Sequence, residues 1–429
     1  GDCLNTGCVP SKALLASARA ASAVARAGAF GVAVASSRAD GTAVLQRVRS
    51  RRAAIAPHDA ASRLSAAGVD LFLGSACFAS PSSLGVEGTT IRFRRAVIAT
   101  GSRPVTPDVP GLDAVAVTTT DTFFEQAVLP GRLLVLGGGP IGCELSQACA
   151  RLGSVVTLVE RGPRLLPRED AEAATVIQQA LAADGVAVHL GASLVSAQPV
   201  AGAARVTIRS AAALTLDVDQ ILLAVGRRPQ FDGLGLGAAG IDTGASGLIV
   251  DDRLRTTNRR VYAAGDVCEA GFTHAADAMA RLVVQNALFF GRRRVSRLVV
   301  PRVVYTSPEL AQVGVTADEA SARRLSTITI PLDTIDRAIV DGDGAGFVRV
   351  HHDRGRVRGC TVVAPHAGDL LGEAIHLVTH GGTLGQLSDT IHPYPTVGEA
   401  LRKAGDAYRR ESLTPAVRRW LSRYFRVWR

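Results

Sequence analysis

The chain has 429 residues, of which 47% are hydrophobic and 4% aromatic, and this suits a soluble α/β protein of two or three domains. Its net charge of +10 comes almost entirely from arginine, since Lys12 and Lys403 are the only lysines, and this indicates a compositional bias more than a nucleic-acid-binding surface. No apolar run approaches a membrane span, no signal-peptide pattern begins the chain and the cysteines form no secreted disulfide framework, so we expect a cytoplasmic protein.

Two cysteines, Cys3 and Cys8, lie close together at the start of the chain. The Ala- and Leu-rich stretch 13–29 predicts a helix whose N-terminus lies near Cys8, where the helix dipole and the positive charge of Lys12 favour a thiolate. This arrangement predicts reversible thiol–disulfide exchange. The alternatives are two buried structural cysteines or half of a metal site, but the further Cys or His ligands that a metal needs do not follow at short spacing.

Further along the chain, apolar runs and turn residues predict alternating strands and helices. The predicted strands are 96–100, 133–136, 155–159, 186–190, 204–208, 220–225, 249–252 and 261–264, and the predicted helices are 143–152, 171–183 and 275–289. Beyond Pro301 the short strands 326–330, 346–350 and 357–363 alternate with helices, and we expect a separate α+β domain there.

A glycine-rich turn joins the predicted strand 133–136 to the helix that follows it. Gly137 permits a tight turn, Gly139 lets the backbone approach a pyrophosphate, and Gly142 allows close packing of helix and strand, with Pro140 between them. Because a strand precedes this turn and a helix follows it, the pattern predicts a dinucleotide-binding βαβ unit.

Acidic residues near this turn have more than one interpretation. Glu160 ends the next strand, where a carboxylate accepts from a ribose 2′-OH and favours NAD, but Arg161 and Arg164 leave NADP open. Glu144 is either a surface carboxylate favoured by the helix dipole or the ion-pair partner of Lys12 beside a cofactor ring.

Two segments near the C-terminus carry further candidates. The proline-rich segment 391–399 contains His392, Tyr394 and Glu399, and a histidine oriented by a carboxylate suits acid–base chemistry on thiols, although loop histidines are often only solvated. From residue 402 onward nine basic and two acidic residues carry a net charge of +7 in an amphipathic pattern with aromatics. This tail either contacts a membrane surface, RNA or a protein, or is a solvated helix docked by its aromatics.

With these motifs the chain resembles the class I pyridine nucleotide–disulfide oxidoreductases, the flavoprotein family of dihydrolipoamide dehydrogenase, glutathione reductase and mercuric reductase. Within the family it most resembles the mercuric-reductase-like and dihydrolipoamide-dehydrogenase-like members. The resemblance covers residues 1 to about 410 and rests on four motifs: the run 3–12, residues 99–101, the glycine turn and residues 262–266.

The resemblance implies a role for each residue that matches a family motif. Cys3 is expected to be the interchange thiol that meets substrate, and Cys8 the charge-transfer thiol against the flavin. The other implied contacts are Lys12 paired with Glu144 near flavin N5, Asp266 on the FAD ribityl chain, Thr100 and Gly101 along the flavin, and Gly226 beside the nicotinamide nucleotide.

The fold that the resemblance implies is α/β, with two Rossmann-like dinucleotide-binding domains and a C-terminal α+β dimerisation domain. The expected boundaries are 1–120 and 246–295 for the two parts of the FAD domain, 121–245 for the inserted NAD(P) domain, 296–410 for the dimerisation domain and 411–429 for the basic tail. We expect a homodimer in which each active site takes the loop 392–399 from the partner.

The sequence departs from the family pattern in two ways. The family's first strand–GxGxxG–helix unit, which holds the FAD pyrophosphate, precedes the cysteine motif, whereas this sequence starts inside that motif, so we expect a fragment with an incomplete FAD domain. In addition, Tyr394 takes the place of the histidine that disulfide reductases carry five residues before Glu399, and His392 lies two residues earlier. Mercuric reductases also have a tyrosine there but add a C-terminal cysteine pair, and the last cysteine here is Cys360.

The leading hypothesis is an FAD-dependent enzyme that passes electrons from NAD(P)H through Cys3 and Cys8 to a disulfide, a metal ion or a reactive oxidant. One alternative is dihydrolipoamide dehydrogenase activity, and another is a truncated, non-catalytic NAD-binding remnant. NADH is the expected donor, and we expect no resident metal, no transmembrane segment and no nucleic-acid partner.

Overall fold

The computed structural model describes residues 1–35, 38–210, 212–268 and 271–428. The helices are α1 (Asp2–Asn5), α2 (Cys8–Ala25), α3 (Gly41–Ile55), α4 (Ala61–Ala66), α5 (Thr120–Phe123), α6 (Pro140–Arg151), α7 (Ala171–Ala183), α8 (Leu236–Ala239), α9 (Thr273–Leu288), α10 (Ala317–Ala322), α11 (Asp336–Asp341), α12 (Ala367–Leu370), α13 (Gly372–His380), α14 (Leu384–Asp389), α15 (Glu399–Glu411) and α16 (Pro415–Arg426). The strands in the first half are β1 (Ala76–Ser80), β2 (Ser83–Val86), β3 (Thr89–Arg92), β4 (Ala96–Ile98), β5 (Ser102–Pro104), β6 (Val117–Thr119), β7 (Arg132–Leu136), β8 (Val155–Val159), β9 (Ala187–His189), β10 (Ser193–Val200), β11 (Ala203–Arg209) and β12 (Leu214–Val218). Those in the second half are β13 (Gln220–Leu223), β14 (Arg227–Pro229), β15 (Thr243–Gly244), β16 (Gly247–Leu248), β17 (Val261–Ala263), β18 (Arg302–Val304), β19 (Glu309–Gly314), β20 (Ser326–Pro331), β21 (Phe347–Asp353) and β22 (Arg356–Ala364).

A parallel sheet in the order β6-β13-β7-β8-β9 lies at the centre of the middle third of the chain. Strand β7 is a continuous apolar run because both faces of the sheet are covered. Leu133 and Val135 pack against helices α6 and α7 on one face, and Leu134 and Leu136 pack against the antiparallel sheet β10-β11-β12 on the other. The βαβ unit predicted at the glycine turn is therefore present.

Smaller sheets surround the segments on either side of this unit. Strand β17 pairs in parallel with β4, β14 pairs with β5, and β1-β2-β3 form an antiparallel meander. The prediction of a strand over 249–252 was wrong. The Asp251 carboxylate accepts the backbone N–H groups of Arg253 (2.9 Å) and Arg255 (3.0 Å), so the chain turns there, and the paired strands β15 and β16 lie just before it.

The last third of the chain forms an antiparallel sheet in the order β18-β19-β22-β21-β20. Its core includes Val350 and Val362 from the sheet and Leu384 and Leu401 from helices α14 and α15. The predicted α+β character of this region, together with the α/β character of the region before it, is confirmed.

The N-terminal helix α2 places the cysteine motif beside the glycine turn. Leu14, Leu15 and Ala18 of α2 share one apolar cluster with Leu145 and Ala148 of α6. Because the two helices pack together, the first turn of α2 lies close to the first turn of α6. The sequence predicted a helix near this position, and the structure begins it at Cys8.

Helices long and apolar enough to cross a membrane are absent from the described part of the chain.

Candidate active site

The two N-terminal cysteines lie at the junction of α1 and α2. A Cβ at Gly7, the N-cap of α2, would lie 3.0 Å from the Asp2 carbonyl oxygen, so a larger residue would push α1 away from the start of α2. Cys8 Sγ lies 3.4 Å from Thr273 Oγ1 at the start of α9. Burial raises the pKa of the Cys3 thiol, a hydrogen bond with Thr273 lowers it, and the neighbouring Cys8 raises it again. Both sulfurs are free thiols, Cys8 exposed and Cys3 partly buried.

Lys12 and Glu144 form an ion pair one turn beyond Cys8. Lys12 Nζ donates to Glu144 Oε2 at 2.8 Å, and Glu144 Oε1 accepts the Tyr305 backbone N–H at 2.9 Å. The ammonium also lies 4.3 Å from the centroid of the Tyr305 ring. Glu144 is buried, so its interpretation as a surface carboxylate is wrong, and the interpretation as the partner of Lys12 agrees with this geometry.

Arg227 connects the cysteine segment to the strand ends near Asp266. Its guanidinium donates to Asp2 Oδ2 (2.5 Å), to the Ser102 carbonyl (2.7 Å) and hydroxyl (2.9 Å), and to Thr120 Oγ1 (3.2 Å). The Ser102 hydroxyl in turn donates to Asp266 Oδ2 at 3.0 Å. One side chain therefore fixes the residue before Cys3 relative to Asp266.

Three further predicted residues lie in turns at the edge of this network. Thr100 donates its hydroxyl to the Gln230 carbonyl, and Gly101 has a φ of +71°. Gly226, directly before the arginine, has a φ of +115° and accepts the Val105 backbone N–H at 3.0 Å. The positive φ values show why glycine stands at both turns.

The glycine turn at the start of α6 has different requirements at each glycine. A Cβ at Gly142 would lie 1.9 Å from the Gly137 carbonyl oxygen, and Gly137 itself has a φ of +105°. A Cβ at Gly139 would meet nothing within 4 Å. Gly139 is the N-cap of α6, and Pro140 is the first residue of the helix. The backbone at Gly139 is thus open to a ligand at a helix N-terminus, a place that suits phosphate groups.

Glu160 lies beside the glycine turn and is held by backbone donors. Its two carboxylate oxygens accept the N–H groups of Gly138 and Gly162, each at 2.6 Å. Arg164 points into its own loop, where it donates to three backbone carbonyls at 2.7–3.0 Å. Arg161 is exposed. Of the two arginines weighed for a 2′-phosphate, Arg161 is the one whose side chain faces solvent.

The segment 391–399 contains two residues, His392 and Tyr394, that form separate polar pairs with residues outside it. His392 Nε2 lies 2.9 Å from Glu373 Oε2 in α13, and Tyr394 donates its hydroxyl to Asp336 Oδ2 at 2.9 Å. The hydrogen bond to Asp336 raises the pKa of Tyr394.

Glu399 is not the carboxylate that meets His392. It is buried and accepts from Arg402 at 2.6 Å. Within the described residues of one chain, no hydrogen bond or ion pair joins the segment 391–399 to Cys3, Cys8 or Lys12. The structure therefore brings the cysteines, Lys12 and Glu144 together and leaves His392 and Tyr394 in a second group.

Sequence reasoning missed Thr273, Tyr305, Arg227 and Glu373. Arg227 follows Gly226 directly, so a charged residue beside an expected nucleotide site was the available signal. The other three residues lie on elements far along the chain from their partners, and nothing local in their surroundings marks them.

Comparison with known proteins agrees with this geometry. Residues 1–281 match the family described as "Pyridine nucleotide-disulphide oxidoreductase", and residues 300–405 match its dimerisation domain. A mercuric reductase of Bacillus cereus is 33% identical over 411 residues, covering 94% of this chain and 65% of that protein, so this chain is much shorter than that relative. A dihydrolipoyl dehydrogenase of Thermus scotoductus is 35% identical over 426 residues, covering 96% of this chain and 91% of that protein.

Among solved structures, the Cu(II) complex of the HOCl-induced flavoprotein disulfide reductase RclA from Escherichia coli is similar, with a TM-score of 0.83 and 28% identity over 94% of this chain and 90% of that chain. Because both family domains match and relatives of 33–35% identity align along almost the whole length, the chain belongs to the class I pyridine nucleotide–disulfide oxidoreductases, the NAD(P)H-dependent FAD enzymes that use a redox-active disulfide.

Proposed function

We propose that this protein uses Cys3 and Cys8 as the redox pair through which electrons from NAD(P)H reach a disulfide, a metal ion or a reactive oxidant. The observation that carries the proposal is the placement of both thiols against Thr273, one helical turn from Lys12 and its buried partner Glu144. The neighbouring thiols supply the bond that opens and closes.

The residues present fit the diphosphate of NAD(P)H and the flavin end of FAD. At the glycine turn, the open backbone at Gly139 and the N-terminus of α6 would hold the diphosphate of NAD(P)H. Beside the thiols, Cys8 is exposed and Lys12 keeps 35% of its side chain exposed, so both side chains can face a flavin, with Asp266 and Thr100 as further contacts. FAD, when bound, would supply two-electron chemistry between the nicotinamide and the disulfide.

The chain's own residues account for the remaining steps. Reduction of the Cys3–Cys8 disulfide takes two electrons and two protons and yields two thiols. Attack of Cys3 on an acceptor disulfide then forms a mixed disulfide and releases one thiol. Attack of Cys8 on Cys3 restores the internal disulfide and releases the second thiol. Lys12, held by Glu144, supplies a positive charge one helical turn beyond Cys8 on α2.

The direct test is anaerobic titration of the FAD-loaded protein with NADH while the absorbance is recorded. The expected result is a long-wavelength band from the Cys8 thiolate against the flavin. Cys8→Ser abolishes this band, whereas Cys77→Ser, which removes another exposed free cysteine, leaves it unchanged. A protein that takes up FAD but shows no band, or one that takes up no FAD at all, contradicts the proposal.

The acceptor divides the proposal into two branches. Similarity to a mercuric reductase and to a Cu(II)-bound structure supports a metal ion held by the two thiolates. The His392–Glu373 pair instead supports thiol acid–base chemistry of the dihydrolipoamide type, because the carboxylate orients the imidazole. Steady-state assays with Hg²⁺, Cu²⁺ and lipoamide side by side distinguish the two. The His392→Ala variant should lose turnover only with lipoamide.

We propose NADH as the preferred donor. Glu160 lies at the position that repels a 2′-phosphate, and Arg164 is engaged with backbone carbonyls. Comparison of kcat/KM for NADH and NADPH tests this, and a higher value for NADPH refutes it.

We also propose that the protein is a cytoplasmic homodimer whose active sites each combine the cysteines of one subunit with the segment 391–399 of the other. The segment lies in the family's dimerisation domain, and Ile391 and Tyr394 are exposed on it. Apart from Cys3 and Cys8 the cysteines are scattered along the sequence, unlike the disulfide framework of a secreted protein, and this supports the cytoplasm. Cell fractionation checks the location.

Mixed dimers test the shared site. A dimer of one Cys8→Ser chain and one His392→Ala chain carries both defects in one site and none in the other if the sites are shared. It should therefore recover about half of the wild-type lipoamide activity. If each site lies within a single chain, both sites stay defective and no activity returns.

A further inference from the structure

The last helix of the chain, α16, forms from local signals and then leaves one face uncovered. The Thr414 hydroxyl caps it by accepting the Val417 N–H at 3.3 Å, and Pro415 occupies its first position. None of its residues is buried. The C-terminal helix is therefore not docked by its aromatics on the described part of the chain.

Helix α16 and the turn after it are amphipathic, with apolar and polar side chains on different sides of the helix axis. At about 100° per residue, the apolar and aromatic side chains fall on one half of the surface and the polar ones on the other. The apolar half carries Val417, Trp420, Leu421, Tyr424 and Phe425, followed by Val427 and Trp428. The polar half carries Arg418, Arg419, Ser422, Arg423 and Arg426.

The aromatic rings form one continuous exposed stripe. The Trp420 and Tyr424 ring centroids lie 5.6 Å apart, and those of Tyr424 and Trp428 lie 6.0 Å apart. Trp420 is 62% exposed, Phe425 56% and Trp428 74%. A contiguous exposed apolar patch of this kind marks an interaction site, since water contact with such surface is unfavourable.

We infer that α16 binds the surface of an anionic lipid bilayer and lies in its plane. The stripe would enter the boundary between headgroups and acyl chains, where tryptophan and tyrosine rings are favoured, and the arginines on the other half would contact anionic headgroups. At 12 residues, about 18 Å long, the helix is too short to span the bilayer.

Charge and geometry favour lipid over two other occupants. Residues 412–429 contain no aspartate or glutamate, so two copies of the helix packed stripe to stripe would gain no ion pairs for the arginines that flank the contact. Single-stranded RNA is bound by arginines and aromatics that act on one surface. Here they lie on opposite halves, so arginine contacts with phosphates would turn the rings away from the bases.

The chain carries its own reporter for this interaction. Its two tryptophans, Trp420 and Trp428, both lie on the stripe. The experiment adds vesicles of phosphatidylglycerol and phosphatidylcholine in equal parts, or of phosphatidylcholine alone, to the FAD-loaded full chain. Tryptophan emission and co-sedimentation are recorded at low and high salt.

The expected result is a shift of the emission to shorter wavelength and co-sedimentation with the anionic vesicles only, both reversed by high salt. Val417→Ser with Phe425→Ser keeps both tryptophans and should weaken binding at least about tenfold. Arg419→Glu with Arg423→Glu should weaken it at least as much. Arg94→Glu with Arg95→Glu makes the same change of charge elsewhere on the exposed surface and should leave binding unchanged.

Three results would overturn the inference. The first is the absence of any emission shift or co-sedimentation with anionic vesicles. The second is a shift produced by a single-stranded RNA oligonucleotide but by no vesicle, which would assign the helix to nucleic acid. The third is a shift that grows with protein concentration in the absence of lipid and is lost in the Val417→Ser/Phe425→Ser variant, which would assign the stripe to a second copy.

Discussion

Removal of the Glu144 carboxylate should destabilise the protein in two separable steps. In Glu144→Gln the amide oxygen can still accept the Tyr305 N–H, but the amide NH₂ then faces the Lys12 ammonium, so two donors oppose each other. One charge-assisted hydrogen bond is lost, which costs about 1.5–3 kcal/mol. The lower half of that range is expected because the Lys12 side chain is one-third exposed, so the freed ammonium can reach water.

Glu144→Leu removes both interactions. The Tyr305 N–H then loses its acceptor and the buried partner of Lys12 disappears, so the loss should reach about 3–5 kcal/mol. Glu172→Gln is the matched control, because Glu172 also accepts from an arginine, Arg349, but its side chain is 63% exposed. Its loss should stay below about 1 kcal/mol.

Urea unfolding of the FAD-loaded protein measures the free energy of unfolding of all three variants. An NADH titration of Glu144→Gln records the long-wavelength absorbance of the Cys8 thiolate. A Glu144→Gln variant no less stable than Glu172→Gln would show that the contact of Lys12 with the buried Glu144 contributes nothing. Equal losses for Glu144→Gln and Glu144→Leu would instead show that the Tyr305 contact carries no stability.

Three other perturbations have defined outcomes. Gly142→Ala should lower the free energy of unfolding by about 2 kcal/mol or more, because its Cβ would lie 1.9 Å from a backbone carbonyl oxygen. Gly139→Ala, whose Cβ would meet nothing within 4 Å, should leave the thermal midpoint unchanged and raise KM for NADH about tenfold or more. A similar thermal midpoint for both variants contradicts this. Burial lowers the pKa of His351, so the unfolded state takes up a proton first as the pH falls, and stability should decrease below about pH 6.5. The urea midpoints of His351→Gln should fall less steeply over that range. An unchanged slope would show that His351 does not cause this pH dependence. Glu373→Gln removes the carboxylate charge beside His392 and should lower lipoamide turnover about tenfold, while flavin reduction by NADH keeps its rate. Equal loss in both half-reactions would indicate structural damage instead.

Local signals in the sequence were enough for the dinucleotide unit. Strand β7, the glycine turn and helix α6 follow one another within about 20 residues, and each step is enforced by the backbone: a positive φ at Gly137 and a close approach at Gly142. The start of α2 near Cys8 was also predictable from local sequence, because an Ala- and Leu-rich run follows it directly. Geometry that depends on residue spacing within one element can therefore be predicted from the sequence.

Long-range pairing was not predictable in this way. The segment 391–399 offers Glu399 as the nearest carboxylate, yet His392 meets Glu373, which lies 19 residues away on α13, because Glu399 begins α15 and pairs with Arg402. The false strand over 249–252 has a related cause, since Asp251 turns a chain whose apolar residues suited an extended run.

The sequence by itself determined the family, the dinucleotide turn and the amphipathic pattern of the last helix, because each depends on residue types at short spacing. Only the tertiary structure decided that Arg227 joins Asp2 to Ser102, that Tyr305 and Lys12 share Glu144, and that the aromatic stripe of α16 stays uncovered. These contacts depend on how helices and sheets distant in the chain pack together, and side-chain spacing along a single element does not encode that packing.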